Sequence, residues 1–223
     1  LENFSAAQVL ENRLAETLSR DQGVHEFLER VASNEPVPGG GSAAALAGSL
    51  AAALGEMMAG VTEGRAKFAA SESRVREIHA KLRDGRDQLT RLVREDSLAF
   101  QSLLNAIRLP KNTKKEKAVR AEAIERATRK ATETPLRTAR AAYAVLQNVS
   151  VLVEIGNPNA KSDAAVGAQL AYAALKGAHY NVLVNVPGLR DTVFAASSRA
   201  ESLDLVRKGG QILRRVDKLM ESS

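Results

Sequence analysis

Residues Pro38–Val61 read PGGGSAAALAGSLAAALGEMMAGV, and this stretch decides the fold. Three glycines follow Pro36 and Pro38, so the backbone can take angles there that other residues avoid. Ser42 has the chemistry of an N-cap, and a helix is predicted from Ala43 to about Thr62. Ala44, Gly48, Ala52, Gly55 and Ala59 recur at helical spacing, a face thin enough for another backbone to approach closely. The helix is apolar almost all round, which places it at the centre of the molecule. Its apolar run, Ala43–Val61, is mostly Ala and Gly and carries Ser49 and Glu56. It reads as a buried helix and not as a membrane span.

Composition points the same way. The 223 residues hold 38 Ala, 15 Gly, no Cys, no Trp and only 4% aromatics. Alanine is the best helix former, whereas sheets need β-branched and aromatic residues. The prediction is an all-α bundle of long antiparallel helices around a central small-residue helix, as one domain over 1–223. Without cysteine there is no disulfide, zinc thiolate or cysteine nucleophile. The first twenty residues have helical character but carry Glu2, Glu11, Arg13, Glu16 and Arg20, which is no signal peptide, so the default location is the cytoplasm.

Outward from the central stretch, Val24–Ala32 reads as a short amphipathic helix. Lys67 to Leu109 forms one long helical pattern. Val75, Leu82, Leu89, Asp96 and Leu103 fall seven apart, with Val93, Phe100 and Ile107 as the companion series. Such a seam suits long antiparallel helices. Asp96 takes a place its series otherwise fills with aliphatics, where a carboxylate is costly unless paired or functional. After Pro110, Asn112 or Thr113 can cap a helix running toward Ile155, with Pro135 expected to kink or break it near Thr132–Thr134. Gly156-Asn157-Pro158-Asn159 is a stop-and-start signal. Another helix is predicted from Ala160 to Val186, with Asp163, Gly167, Leu170, Ala174, Gly177 and Asn181 on one face and Asn185 one turn on. Asp163 and Asn181 then lie about 27 Å apart along the axis, too far for one compact site. An amphipathic helix from about Asp191 to Met220 closes the chain.

The net charge is +6, from 32 basic and 26 acidic residues. That permits acidic partners without selecting one, and the scarcity of aromatic stacking platforms weighs against nucleic acid. PGGGS is neither a dinucleotide nor a P-loop fingerprint. His25, His79 and His179 show no metal-ligand spacing. What remains is Asp96, Asp163 and the asparagines 157, 159, 181 and 185. Amides both donate and accept, which suits the edge of a heterocycle. A buried carboxylate has a raised pKa and can serve as general acid or base.

Five stretches together resemble a known family. They are FLERVAS..PVPGGGSAAALAGSLAAALGEMMAGVT, D..AF, LPKNT..EK..R, GNPNAKSDA and YNVLVNV, in that order over roughly Glu26–Leu189. The chain resembles the cyclodeaminase domain of formiminotransferase-cyclodeaminase and its bacterial relative, methenyltetrahydrofolate cyclohydrolase. The resemblance implies an all-helical homodimer with a folate site near the subunit interface and no metal or redox cofactor. It implies closure of 5-formiminotetrahydrofolate to the 5,10-methenyl compound with loss of ammonia, the first expectation, or hydrolysis of the 5,10-methenyl bridge to a 10-formyl group, the alternative. On this reading Asp96 moves the proton. Pro38, Gly39, Gly40, Gly41 and Ser42 lie against the folate. Asn157, Asn159 and Asp163 bind pterin or position Asp96, and Asn181 and Asn185 act from the partner or further along the cleft. Lys111, with Lys114 and Lys115, attracts the glutamate tail.

Overall fold

The structure is a computed structural model that describes residues 23–222. Residues 1–39 and 40–223 divide into two compact units. In the first, the chain is helical over residues 23–32 (α1). The second holds five helices: α2 Gly40–Gly60, α3 Glu72–Ile107, α4 Lys114–Ile155, α5 Lys161–Asn185 and α6 Thr192–Glu221. No strand occurs among the described residues, so the all-α expectation holds. The expected helix over the first twenty residues lies outside the described ones.

Helix α2 packs its small residues against α3, α4 and α5. A Cβ on Gly48 would sit 3.1 Å from Leu89, and one on Gly55 2.7 Å from Leu82 and 2.8 Å from Val149. On α5, Gly167 faces the Ala51 carbonyl and Gly177 faces Ala44. These pairs put α3 and α5 antiparallel to α2. Gly85 against Val145 and Glu95 against Arg137 do the same for α3 and α4. Helix α6 instead runs parallel to α4, tied by Arg129–Asp191, Arg140–Glu201 and Arg215–Glu154. Among the described residues α2 alone is long and apolar enough to cross a membrane, and half of its apolar window is buried inside the fold.

Three expectations need correction. Helix α2 starts at Gly40, so Ser42 stands inside its first turn and not at its N-cap. The buried seam of α3 is Val75, Leu82 and Leu89 with Ile78, Leu92, Ala99 and Ala106. The companion series is therefore rotated by one residue, and Phe100 and Ile107 are exposed. Leu82 and Leu89 pack on Gly55 and Gly48 of α2, and Ala106, beyond the start of α2, lines the side of α3 that faces α4. Third, α4 runs unbroken through Pro135. Proline has no N–H, so the carbonyl four residues back, at Ala131, loses its helical donor. The Asn185 amide donates to that carbonyl at 2.7 Å and replaces it. Thr113 caps α4 as expected, in a reciprocal capping box with Glu116.

Replacing Asn185 by Leu removes this donor and strands the Ala131 carbonyl. The expected loss is about 1–3 kcal/mol of stability, the usual result of an unsatisfied buried acceptor. Urea unfolding of Asn185→Leu against wild type measures it, and an unchanged midpoint would refute the compensation.

Candidate active site

The N-terminal turn of α2 meets the middle of α3 with almost no space between them. A Cβ on Gly41 would lie 2.2 Å from one Asp96 carboxylate oxygen and 2.6 Å from its carbon. Only glycine lets the carboxylate settle against this turn. The Ser42 hydroxyl donates to Asp96 Oδ2 at 2.9 Å, and the Ser42 N–H also donates to the carboxylate. Ser97 Oγ lies 3.1 Å from Ser42 Oγ. An ionised Asp96 can only accept, so Ser42 spends its single proton on it and Ser97 must donate to Ser42. Ser97 escaped the sequence reading; its only signal is a hydroxyl beside the out-of-place aspartate.

Burial pushes the Asp96 carboxyl above the ordinary carboxylate range, and the hydrogen bonds from the Ser42 hydroxyl and then its N–H pull the other way. Asp96 has no ion-pair partner among the described residues. Its neighbour Glu95 is different: it pairs with Arg137 of α4. One helix therefore presents two adjacent carboxylates, one in an ion pair and one half-buried among hydroxyls.

The other predicted residues fall into separate groups. Asn181 stands beside this turn, its Nδ2 3.8 Å from where a Gly40 Cβ would be, and donates to the Gly177 carbonyl. Asn181 therefore stands beside the same turn of α2 that holds Asp96. Asn185 is committed to Ala131. Asn157 lies at the opposite end of α2. It is 5% exposed, its N–H donates to the Thr62 hydroxyl and its amide donates to the Val61 carbonyl. Its side-chain oxygen accepts from the Asn159 N–H. Asn159 itself is exposed, and Asp163 opens α5 at the same end. The 21 residues of α2 put roughly 30 Å between the two ends. Pro38 and Gly39 belong to the first unit and lead directly into Gly40; the Val37–Pro38 peptide is cis.

Lys111, Lys114 and Lys115 are exposed at the α3–α4 turn. That turn lies beyond Ile107, roughly 16 Å along α3 from Asp96. Closer to Glu95 is a groove lined by Arg126, Arg129, Lys130 and Arg137 with Glu133 and Thr134. Its cations follow helical spacing on α4, a signal the sequence held. The histidines serve other contacts: His79 Nδ1 meets Glu63 at 2.6 Å, and buried His179 meets the Ser202 hydroxyl at 2.8 Å.

Residues 23–204 match the family model described as formiminotransferase-cyclodeaminase. The chain is 36% identical to methenyltetrahydrofolate cyclohydrolase of Methylorubrum extorquens over 92% of this chain and 99% of that one. It is 34% identical to formimidoyltransferase-cyclodeaminase of Rattus norvegicus over 84% of this chain, and spans 35% of that longer protein. The solved structure of formiminotetrahydrofolate cyclodeaminase from Thermotoga maritima superposes with a TM-score of 0.79 at 26% identity, covering 89% of this chain and 95% of that one.

A raised carboxyl pKa in the folded state carries a defined sign. Asp96 contributes stability in its protonated form, and that contribution is lost as pH rises through its folded pKa. Asp96→Asn keeps the hydrogen-bond acceptor without the charge. Its melting temperature is expected to equal or exceed that of wild type at neutral pH, with the gain vanishing in mild acid. A lower melting temperature at neutral pH would contradict the buried-charge reading.

Proposed function

The chain belongs to the formiminotransferase-cyclodeaminase family, and on that premise we propose that Asp96 is its proton-transfer group at the carbon bridging N5 and N10 of tetrahydrofolate. The chain is a folate one-carbon enzyme. The observation that carries the assignment of Asp96 is its carboxylate, half-buried with no ion-pair partner among the described residues and aligned by Ser42 against bare glycine backbone.

Hydrolysis is the first reading, supported by 36% identity with a cyclohydrolase along almost the whole of both chains. The 5,10-methenyl carbon is cationic, and water adds to it while Asp96 takes one water proton. The carbon–N5 bond then breaks as the remaining hydroxyl proton passes to N5, leaving a 10-formyl group. One proton is released overall. The likeness to the Thermotoga maritima cyclodeaminase favours a second reading on the same site. There N10 adds to a protonated 5-formimino carbon, Asp96 takes the N10 proton and returns it to the departing nitrogen, and ammonia leaves. Both routes share a tetrahedral carbon between two nitrogens and move only protons.

The assembly is proposed as a twofold dimer across α2 and α5. On α2, Leu46, Leu50, Ala53 and Met57 form one apolar stripe, with Leu50 51% and Met57 42% exposed. Val166, Tyr180 and Val184 extend it on α5. A twofold axis across these helices sets α2 antiparallel to its partner copy. The Asn159–Asp163 end of one protomer then approaches the Asp96 end of the other, which would reunite the two groups.

Wild type is expected to consume 5,10-methenyltetrahydrofolate, followed by loss of its absorbance, and to release no ammonia from 5-formiminotetrahydrofolate. Ammonia release with rising methenyl absorbance would select the second reading. Asp96→Asn should lower kcat by about 10²–10⁴-fold. Hydrolysis by wild type should fall as pH drops through the raised Asp96 pKa, because the ionised form is the base. If the site spans two subunits, mixing inactive Asp96→Asn with an inactive Asn159→Ala/Asp163→Ala variant restores about a quarter of wild-type activity through mixed dimers. No recovery on subunit exchange would confine the site to one chain.

A further inference from the structure

The α3–α4 groove is used by none of the steps above. It has two adjoining parts that share Arg126 and Lys130. One is apolar, floored by Ala106, Leu109, Ala123 and Ala127 with Ser102 and Asn105. The other is basic and runs along α4 to Arg137, whose guanidinium holds Glu95, the residue beside Asp96.

Two of the four cations are already fixed. Arg129 pairs with Asp191 at 2.8 Å and stacks on Phe194 with its carbon 4.0 Å from the ring centre. Arg137 pairs with Glu95. The other two are not neutralised. Arg126 meets Glu122 only at 3.8 Å, with both side chains at least 70% exposed, a contact of little energetic weight. Lys130 has no ion-pair partner among the described residues. Glu133 is the one acid lining this part, and Thr134 spends its hydroxyl proton on the Lys130 carbonyl.

Arg126 and Lys130, left without close ion pairs, offer charge to a ligand whose carboxylates lie some way from its reacting carbon. We infer that this groove holds the glutamate tail of the folate, with Arg126 and Lys130 taking its carboxylates and the aminobenzoyl ring, which is bonded to N10, lying nearer Asp96. The inference rests on the folate reading and replaces Lys111 as the tail contact. Helical rise places Arg126 roughly 16 Å from Arg137, so the tail would extend away from Asp96 along α4. Phosphates would suit the same cations, but no aromatic side chain lines either part, so nucleic-acid bases would find nothing to stack on.

Calorimetric titration of the whole chain with 5-formyltetrahydrofolate and with 5-formyltetrahydropteroate, which lacks the glutamate, tests this. Wild type is expected to bind the glutamate-bearing compound at least about tenfold more tightly. Arg126→Ser/Lys130→Ser should lose that preference while binding the pteroate as wild type does. Lys111→Ser should keep it. Equal binding of both compounds by wild type, or a preference that survives the double substitution, overturns the assignment and leaves the folate reading intact. Binding of neither compound overturns the folate reading and this inference with it. Salt-dependent capture of a short RNA, lost in the double variant, with both folates binding equally, would give the groove to phosphate.

Discussion

The fold depends on how little side chain α2 carries where other helices cross it. At Gly48 and Gly55 the space a Cβ would need is filled by Leu89, Leu82 and Val149. Those three are themselves fully buried. Packing at this density tolerates no added methyl without displacement. The same constraint governs the chemistry. Gly41 is where α3 comes nearest, and the atom that meets it is a carboxylate oxygen instead of a methyl group. The core packing and the proposed catalytic carboxylate meet on one continuous face of one helix.

That continuity explains why Asp96 needs no cation. Moving a carboxylate out of water is costly, and a bare buried charge would be relieved by taking up a proton. Here the relief is partial. Burial raises the pKa, the Ser42 hydroxyl and N–H stabilise the ionised form and pull it back, and Ser97 lies against the Ser42 hydroxyl. An arginine would have lowered the pKa and left a weak base. Glu95 has such a partner in Arg137, with which it forms an ion pair. The two adjacent acids differ in role because one faces α2 and the other α4.

The bundle was legible because alanine and glycine report it directly. Periodicity placed the central helix, and one aspartate in an aliphatic series marked the site. What the sequence hid was pairing at a distance. The register of α3 slipped by one because a seven-residue repeat leaves two adjacent companion series to choose from, and the tertiary neighbours of α3 bury Ile78, Leu92 and Ala99 and leave Phe100 exposed. Ser42 looked like a cap because caps and helical first-turn serines have the same neighbours; the Asp96 that claims its hydroxyl is 54 positions away. Asn185 looked like a recognition amide, while its partner is a carbonyl freed by a proline 50 residues earlier. Polar residues in unusual places mark a need without naming it.

The separation of the asparagines follows from the same antiparallel order. Helix α5 returns along α2, so its start lies by α2's end and its last turns by α2's beginning. Asp163 and Asn181 share a helical face and still cannot share a ligand within one chain. Asn157 is spent on closing α2, through Thr62 and Val61, and so shapes the α2–α5 junction that carries Asn159. A stripe of exposed leucine, methionine and valine runs along the two helices between these ends. An antiparallel pairing across that stripe would hide apolar surface and bring opposite ends together in a single step. Dimer formation and completion of the site would then have the same physical cause.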